Sequence, residues 1–143
     1  MPAASANTWE DNLIADLRAN DGKPSAGPLA GEDLLVLHTT GAKTGEKRRA
    51  ILSYTRDGDD FIVAGTANGS PKDPGWVRNI QADPRVTFDV GTIERQAKAK
   101  IAEGAERERL WAGHVEVLPR FGDYPAKVGG RIIPVVRLTP AKV

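Results

Sequence analysis

Three segments of the chain place apolar residues on one side at the spacing of an α-helix. Near the start of the chain Trp9, Leu13 and Leu17 recur every four residues, which predicts an amphipathic helix. A short helix is predicted from Pro74, where a missing N–H costs nothing, to just before the next proline, with Asp73 as its cap. The third helix is predicted over residues 105–118, and its apolar side consists of Leu110, Trp111, Val115 and Leu118.

Six further segments are typical of β-strands, because they are short and either apolar or alternating in polarity. They are residues 34–40, 50–56, 61–65, 85–90, 93–102 and 129–140. Asp57 and Gly58 mark a turn, so the second and third segments are expected to form a hairpin. Pro134 lies within the last segment and favours an edge position or a bulge there.

The order of these elements favours the α+β class with a mainly β architecture. Strands and helices do not alternate regularly, as they would in a doubly wound sheet. We therefore expect a mostly antiparallel sheet closed into a barrel, with about three helices packed outside. With 143 residues the chain is expected to form one domain. In it, residues 1–33 would form the N-terminal helix and connecting loop, and residues 34–143 the barrel.

Charge is balanced overall but unevenly placed. The chain has 20 Lys and Arg against 19 Asp and Glu, a formal net charge of +1, which does not favour a nucleic-acid partner. Acidic residues predominate in residues 1–33, whereas the segment TTGAKTGEKRR, residues 39–49, holds Lys43, Lys47, Arg48 and Arg49. This distribution predicts a local anion site rather than a surface for a large polyanion.

The composition excludes several kinds of catalytic centre. The chain has no cysteine, which excludes disulfides, thiolate metal sites and a cysteine nucleophile. His38 and His114 are too few for a multi-histidine metal site, and no metal is expected. No Ser-His-Asp set and no pair of carboxylates stands out. If the protein is an enzyme, we expect a cofactor to carry the chemistry.

No targeting or membrane-spanning segment is predicted. The first residues lack the basic and apolar regions of a secretory signal, and no apolar run approaches the ~20 residues that span a bilayer. We therefore expect a cytoplasmic protein. The acidity of the first helix argues against peripheral contact with an anionic membrane surface.

Residues 39–49 do not match the phosphate loop of an NTPase. That motif needs four residues between its glycines and a Lys after the second, whereas three residues separate Gly41 from Gly45. The alternative to a binding site is a solvated turn between strands. However, four neighbouring cations repel one another, and the two glycines would let backbone N–H groups converge on a ligand. We therefore favour an anion site.

Two motifs together point to a known family. The first is TTGAKTGEKRR, and the second is VAGTANGSPKDPGWVRNIQADPRV, residues 63–86. As a pair they resemble the deazaflavin-dependent nitroreductase family, whose members are split β-barrel oxidoreductases that use coenzyme F-420, an 8-hydroxy-5-deazaflavin. The likeness is strong over residues 34–90 and extends to RIIPVV near the end of the chain.

The resemblance implies a binding site for this cofactor and for its tail of phosphate and glutamates. The implied cofactor-binding residues are Lys43, Lys47, Arg48, Arg49, Ile51, Leu52, Thr66, Ala67, Trp76 and Asn79. The cations would hold the tail, since Arg forms forked contacts with phosphate or carboxylate and Lys acts as a point charge. The two aliphatic residues would lie along the ring. Thr66 and Ala67 would face the phosphate or the ring, and Trp76 and Asn79 would close the pocket.

The resemblance also implies a reaction, which is hydride transfer from reduced F-420 to a small apolar acceptor such as a quinone, an enone or a nitroaromatic compound. Tyr124 and Thr66 are the candidate proton donors. The chain has Leu118, Phe121 and only Tyr124 where the enzyme that gives the family its name places tyrosines over its substrate. Activation of nitroimidazoles is therefore not assumed.

Two alternatives remain beside this interpretation. Related split barrels use FMN, which has a phosphate but no polyglutamate tail, so a loop with four cations would be oversized for it. A non-catalytic carrier of a cofactor or ligand would explain the absence of obvious catalytic residues. The sequence does not predict an oligomeric state.

Overall fold

The structure is a computed structural model and describes residues 9–141. It contains four α-helices and seven β-strands in these residues. The helices are α1 (Trp9–Ala19), α2 (Gly75–Ala82), α3 (Gly104–Val117) and α4 (Tyr124–Lys127). The strands are β1 (Leu34–Thr40), β2 (Lys47–Ser53), β3 (Thr55–Asp57), β4 (Asp60–Ala64), β5 (Arg85–Val90), β6 (Ile93–Ile101) and β7 (Val135–Pro140). The outer limits of the expected domain, residues 1–8 and 142–143, lie outside the described part of the chain.

The seven strands form one sheet in the order β2-β1-β5-β6-β7-β4-β3, and every neighbouring pair is antiparallel. Its two edge strands, β2 and β3, are consecutive in the chain and are separated only by Tyr54. The chain therefore passes directly from one edge of the sheet to the other. This requires the sheet to curl until its edges meet, and β2 indeed lies against β4. The mainly antiparallel split barrel predicted from the sequence is confirmed.

The inside of the curled sheet is a closely packed apolar core. Phe88 is fully buried at its centre and its ring lies 4.8 Å from that of Phe61, a separation typical of favourable aromatic pairs. Helix α2 adds Trp76, Val77 and Ile80 to the same core. Helix α1 packs on the outer face of the sheet, where Leu17 contacts Leu34 and Val36. The apolar stripe predicted for α1 is therefore buried at Leu17 and half-buried at Leu13, whereas Trp9 is 71% exposed.

Two predicted strands differ from the observed elements. Residues 50–56 were expected to form one strand, but the chain crosses at Tyr54 from β2, which pairs with β1, to β3, which pairs with β4. The last strand begins at Val135 rather than at residue 129. Pro134 precedes this strand, which lies between β6 and β4, so the expected edge position or bulge is wrong. These differences raise the number of strands from six to seven.

The predicted cap of α2 is also wrong. Pro74, not Asp73, is the residue that caps the helix. The Asp73 carboxylate instead accepts a hydrogen bond of 2.5 Å from Arg131. Asp73, which the local pattern assigned to the helix terminus, therefore forms a long-range ion pair instead.

Among the described residues no helix is long and apolar enough to cross a membrane.

His114 is completely buried on the inner side of α3. Its Nδ1 atom lies 2.8 Å from the Thr55 hydroxyl, and its Nε2 atom has no hydrogen-bond partner among the described residues. Desolvation by burial, together with the charge of Arg120, lowers the pKa of His114 to about 4. The imidazole is therefore neutral in the folded protein at neutral pH.

This burial predicts that stability falls between pH 6.5 and 4. The unfolded imidazole binds a proton below about pH 6.5 while the folded one does not, so the free energy of unfolding decreases by roughly 3 kcal/mol over this window. Denaturant titrations across the window should show the decrease in the wild type. His114→Gln should be less stable than the wild type at pH 7 and should lack this pH dependence, so the difference between the two proteins should narrow towards pH 4. An equal slope in both proteins would contradict the assignment.

Candidate functional site

A cavity of about 460 Å³ lies along the free edge of β2. Its apolar walls include Leu52 of β2, Trp76 of α2, Leu29 of the loop after α1 and Phe121 of the segment between α3 and α4. Its polar lining consists of Glu10, Arg49, Ser53, Thr66, Arg120 and Tyr124. Because residues 49–53 all line it in succession, the cavity wraps around the edge of β2 and touches both faces of that strand.

The cavity brings together most of the residues that the sequence assigned to a site. Arg49, Ile51, Leu52, Thr66, Ala67, Trp76 and Tyr124 all line it. They come from β2, from the loop after β4, from α2 and from the start of α4. The other four predicted residues, Lys43, Lys47, Arg48 and Asn79, do not line this cavity.

The alternation of side chains along β2 separates the cations of the predicted cluster. Ala50 and Leu52 pack against the barrel core, whereas Ile51 packs with residues under α1. Arg48 therefore lies on the inner face of the strand, and Arg49 lies on the outer face. The cluster is contiguous in sequence but divided between two faces of the sheet.

Asn79 fixes the loop that joins β1 to β2. Its side-chain carbonyl accepts a hydrogen bond of 3.0 Å from the Ala42 N–H, and its side-chain NH₂ group donates one of 3.0 Å to the Thr39 hydroxyl. Asn79 is buried, so these bonds are shielded from water. The arrangement anchors the loop to α2.

Backbone N–H groups of this loop donate within the protein. Gly41 donates to the Glu46 carbonyl and Gly45 to the Gly41 carbonyl, at 2.7 and 2.9 Å. Ala42 donates to Asn79 and Glu46 donates to the Thr44 hydroxyl. The expectation that N–H groups of the loop converge on a ligand is therefore not met at these four positions. Anion binding here would depend on the exposed side chains Lys43, Lys47 and Arg48.

Arg131 holds the loop that follows β4, although it was not among the predicted site residues. Its guanidinium donates to the backbone carbonyls of Gly65, Thr66 and Ser70 at distances from 2.8 to 3.2 Å. The same loop contains Ala67 at φ 48°, a left-handed conformation that costs energy for a residue with a Cβ. These hydrogen bonds from Arg131 thus fix a strained turn that lines the cavity.

Arg120 lines the cavity itself, and it too was not among the predicted site residues. Its guanidinium donates to Glu32 Oε1 at 2.5 Å, to Ser53 Oγ at 2.9 Å and to Tyr124 Oη at 3.5 Å. The Ser53 hydroxyl also donates to Glu32 at 2.8 Å. Arg49, at another part of the cavity wall, forms ion pairs with Glu10 at 3.4 Å and Asp11 at 2.7 Å.

Comparison with known proteins identifies relatives over most of the chain. Residues 11–140 match the family described as F420H(2)-dependent quinone reductase. The F420H(2)-dependent quinone reductase Rv1261c of Mycobacterium tuberculosis is 38% identical over 108 residues, which are 73% of this chain and 72% of that protein.

Solved structures show the same fold. The F420-H2 Dependent Reductase FDR-A is 33% identical, with a TM-score of 0.66 over 73% of this chain and 92% of that one. A structure described as a domain-swapped dimer is 28% identical, with a TM-score of 0.69 over 90% of this chain and 93% of that one.

These matches agree with the two sequence motifs and with the split barrel, and they confirm the predicted resemblance to F-420-dependent reductases. The family match alone covers nearly all of the residues that the structure describes. The chain belongs to the F420H(2)-dependent quinone reductase family.

Proposed function

We propose that this protein uses the reduced form of coenzyme F-420 to reduce a quinone to a hydroquinone. Enones and nitroaromatic compounds are related acceptors of the same small, apolar and planar kind. The observation that carries the proposal is the cavity beside β2, where an apolar wall, three hydroxyl-bearing residues and the residues implied for the cofactor ring meet.

The residues present fit the two chemically different parts of this cofactor. The cavity falls within the ~300–1,000 Å³ typical of small-molecule sites, and Leu52 and Trp76 offer flat apolar surface for a ring system. For the anionic tail, Lys43, Lys47 and Arg48 are exposed in the β1–β2 loop and at the start of β2, the strand whose residues 49–53 line the cavity. Within residues 9–141 the ion pair of Arg48 is with Glu46, at 3.3 Å and with both side chains more than half exposed, so solvent weakens that pair. We therefore assign the tail to these three cations.

The remaining residues would position the ring and the acceptor and would donate one proton to the acceptor. The bound cofactor supplies a hydride, which carries two electrons and one of the two protons that a quinone needs. Tyr124 and Thr66 line the cavity, and the hydroxyl of either residue can donate the other proton, which water then replaces. Trp76 and Phe121 exclude water from the acceptor. Most of the rate would come from proximity and orientation.

Asn79 and Arg49 take roles that differ from simple cofactor contact. Both ends of the Asn79 amide are engaged by the protein, so we propose that it positions the loop carrying Lys43. Arg49 is already paired with two carboxylates of α1. It would hold α1 over the cavity rather than bind the tail.

The function is tested directly by titrating the protein with oxidised F-420 while following tryptophan fluorescence. Trp9 and Trp76 line the cavity, whereas Trp111 does not. Saturable quenching is expected, and it should persist in Trp111→Phe and weaken in Trp76→Phe. Oxidation of reduced F-420 by 1,4-naphthoquinone should follow in a steady-state assay. No saturable quenching and no turnover would overturn the proposal, and binding without turnover would favour a carrier.

The tail assignment predicts that Lys43→Ala with Arg48→Ala weakens F-420 binding by about tenfold or more at low salt. Two exposed charge contacts of roughly 1 kcal/mol each are lost, and salt should narrow the difference. The measurement is the fluorescence titration at two ionic strengths. Arg18→Ala with Lys100→Ala removes the same charge from exposed sites elsewhere and should leave the affinity unchanged. Equal affinity of the first variant and the wild type would refute the assignment.

The proton-donor role predicts a selective effect of Tyr124→Phe. The apolar contact between Phe121 and the ring of residue 124, at 5.3 Å between centroids, is retained while the hydroxyl is lost. The value of kcat with 1,4-naphthoquinone should fall by ~10²-fold, with little change in F-420 affinity. Thr66→Val tests the second donor in the same way. If both variants keep the wild-type kcat, the proton comes directly from water.

The hydrogen bonds that Arg131 donates to the loop predict that Arg131→Lys increases the mobility of this strained loop. Lysine keeps the charge but cannot reproduce the forked contacts, so we expect a loss of ~2 kcal/mol in unfolding free energy. Amide hydrogen exchange over residues 66–70 should accelerate, and F-420 affinity should fall severalfold. Arg95→Lys, on β6, serves as the matched control. Unchanged exchange in the loop would show that the turn holds without Arg131.

A further inference from the structure

Both arginines that line the cavity are neutralised by carboxylates from the same part of the chain. Glu10 and Asp11 of α1 pair with Arg49. Glu32, at the end of the loop that follows α1, pairs with Arg120. The acidic bias of residues 1–33 thus acquires a structural meaning, because these carboxylates supply counter-charge to the cavity wall.

Glu32 is the least exposed of these three carboxylates, since the side chains of Glu10 and Asp11 are 34% and 35% exposed. The Glu32 side chain is 21% exposed and the Arg120 side chain 40% exposed. Ser53 bridges them, since it donates to Glu32 at 2.8 Å and accepts from Arg120 at 2.9 Å. Glu32 and Ser53 therefore hold one edge of the guanidinium, and the other edge lies beside Tyr124.

This arrangement changes what the cavity can bind. A guanidinium without a counter-charge would attract an acceptor carrying a carboxylate or sulfonate and would hold it by charge-assisted hydrogen bonds. With Glu32 in place the positive charge is cancelled locally, and an anionic group near Arg120 would also face the carboxylate. An uncharged acceptor loses nothing by the same pairing.

The cations of the β1–β2 loop are arranged in the opposite way. Lys43 and Lys47 form no ion pair with any residue in the range 9–141, and neither lines the cavity. Positive charge is therefore compensated on the cavity wall and left without an ion pair at Lys43 and Lys47, while Arg48 has only its exposed pair with Glu46 among the described residues. An anionic tail is drawn to the loop, and the acceptor space stays electrically neutral.

We propose that Glu32 is a specificity-determining residue, which acts through Arg120 to make the cavity select uncharged quinones over anionic ones. The proposal rests on the quinone reduction proposed above. Glu32 acts here as a positioning residue, since Arg120 rather than Glu32 lines the cavity. The role is separate from that of the loop cations, which concern the cofactor tail.

The experiment compares 1,4-naphthoquinone with 1,4-naphthoquinone-2-sulfonate as acceptors for reduced F-420. The quantity measured is the ratio of kcat/KM for the sulfonate to kcat/KM for the neutral quinone. Glu32→Gln keeps the shape and can still accept from Ser53 and Arg120, so its ratio should rise about tenfold, as expected for one released charged contact. The double variant Glu32→Gln with Arg120→Gln removes both charges and should return the ratio to the wild-type value.

Controls separate this effect from a change in net charge or in folding. Glu116→Gln, at an exposed position of α3, has the same change in charge and should keep the wild-type ratio. Thermal melting should show that each variant is folded, and a change in F-420 affinity affects both acceptors equally and cancels from the ratio. A rise that the double variant retains, or a ratio unchanged in Glu32→Gln, would overturn the specificity role while leaving quinone reduction intact. Failure of every variant and of the wild type to reduce either quinone would overturn the proposed function itself.

Discussion

The two-residue period of β2 is the constraint on which the site depends. Successive side chains of a strand point to opposite faces, so a run of basic residues cannot form one patch once it enters the sheet. In this protein the strand begins at Lys47, within the basic run. Arg48 is sent to the inner face and Arg49 to the outer face, where α1 meets it with two carboxylates. Cations that look equivalent in the sequence therefore have different neighbours and different roles in the structure.

The polar groups around the cavity are arranged by contacts between distant parts of the chain. Arg131 fixes the turn after β4, Asn79 fixes the loop before β2, and Glu32 holds Arg120. Each of these side chains binds a loop or another side chain. The loops around the cavity are thus held in place by side chains from other parts of the chain, as pre-organised sites require.

Local pattern predicted the regular elements well and the supporting contacts poorly. Strands 34–40 and 85–90 were predicted with the observed limits, because their apolar runs are short and clearly bounded. The cavity-lining residues of the two family motifs followed from the resemblance. Glu32 and Arg120 are 88 residues apart in sequence, and no periodicity or short motif connects such positions. The crossing at Tyr54 was missed for a related reason, since strand propensity does not report which neighbour a strand pairs with.

The passage of the chain from β2 to β3 has a mechanical consequence. No hydrogen-bonded ladder joins β2 to β3 or β4 in the described sheet. The cavity lies along this edge of β2, which has no hydrogen-bonded neighbouring strand in the described part of the chain. Elsewhere, widening the barrel would require breaking backbone hydrogen bonds. At this edge, widening the barrel requires only that side chains slide past one another. The pocket therefore lies where the barrel wall deforms most easily to accept ligands of different size.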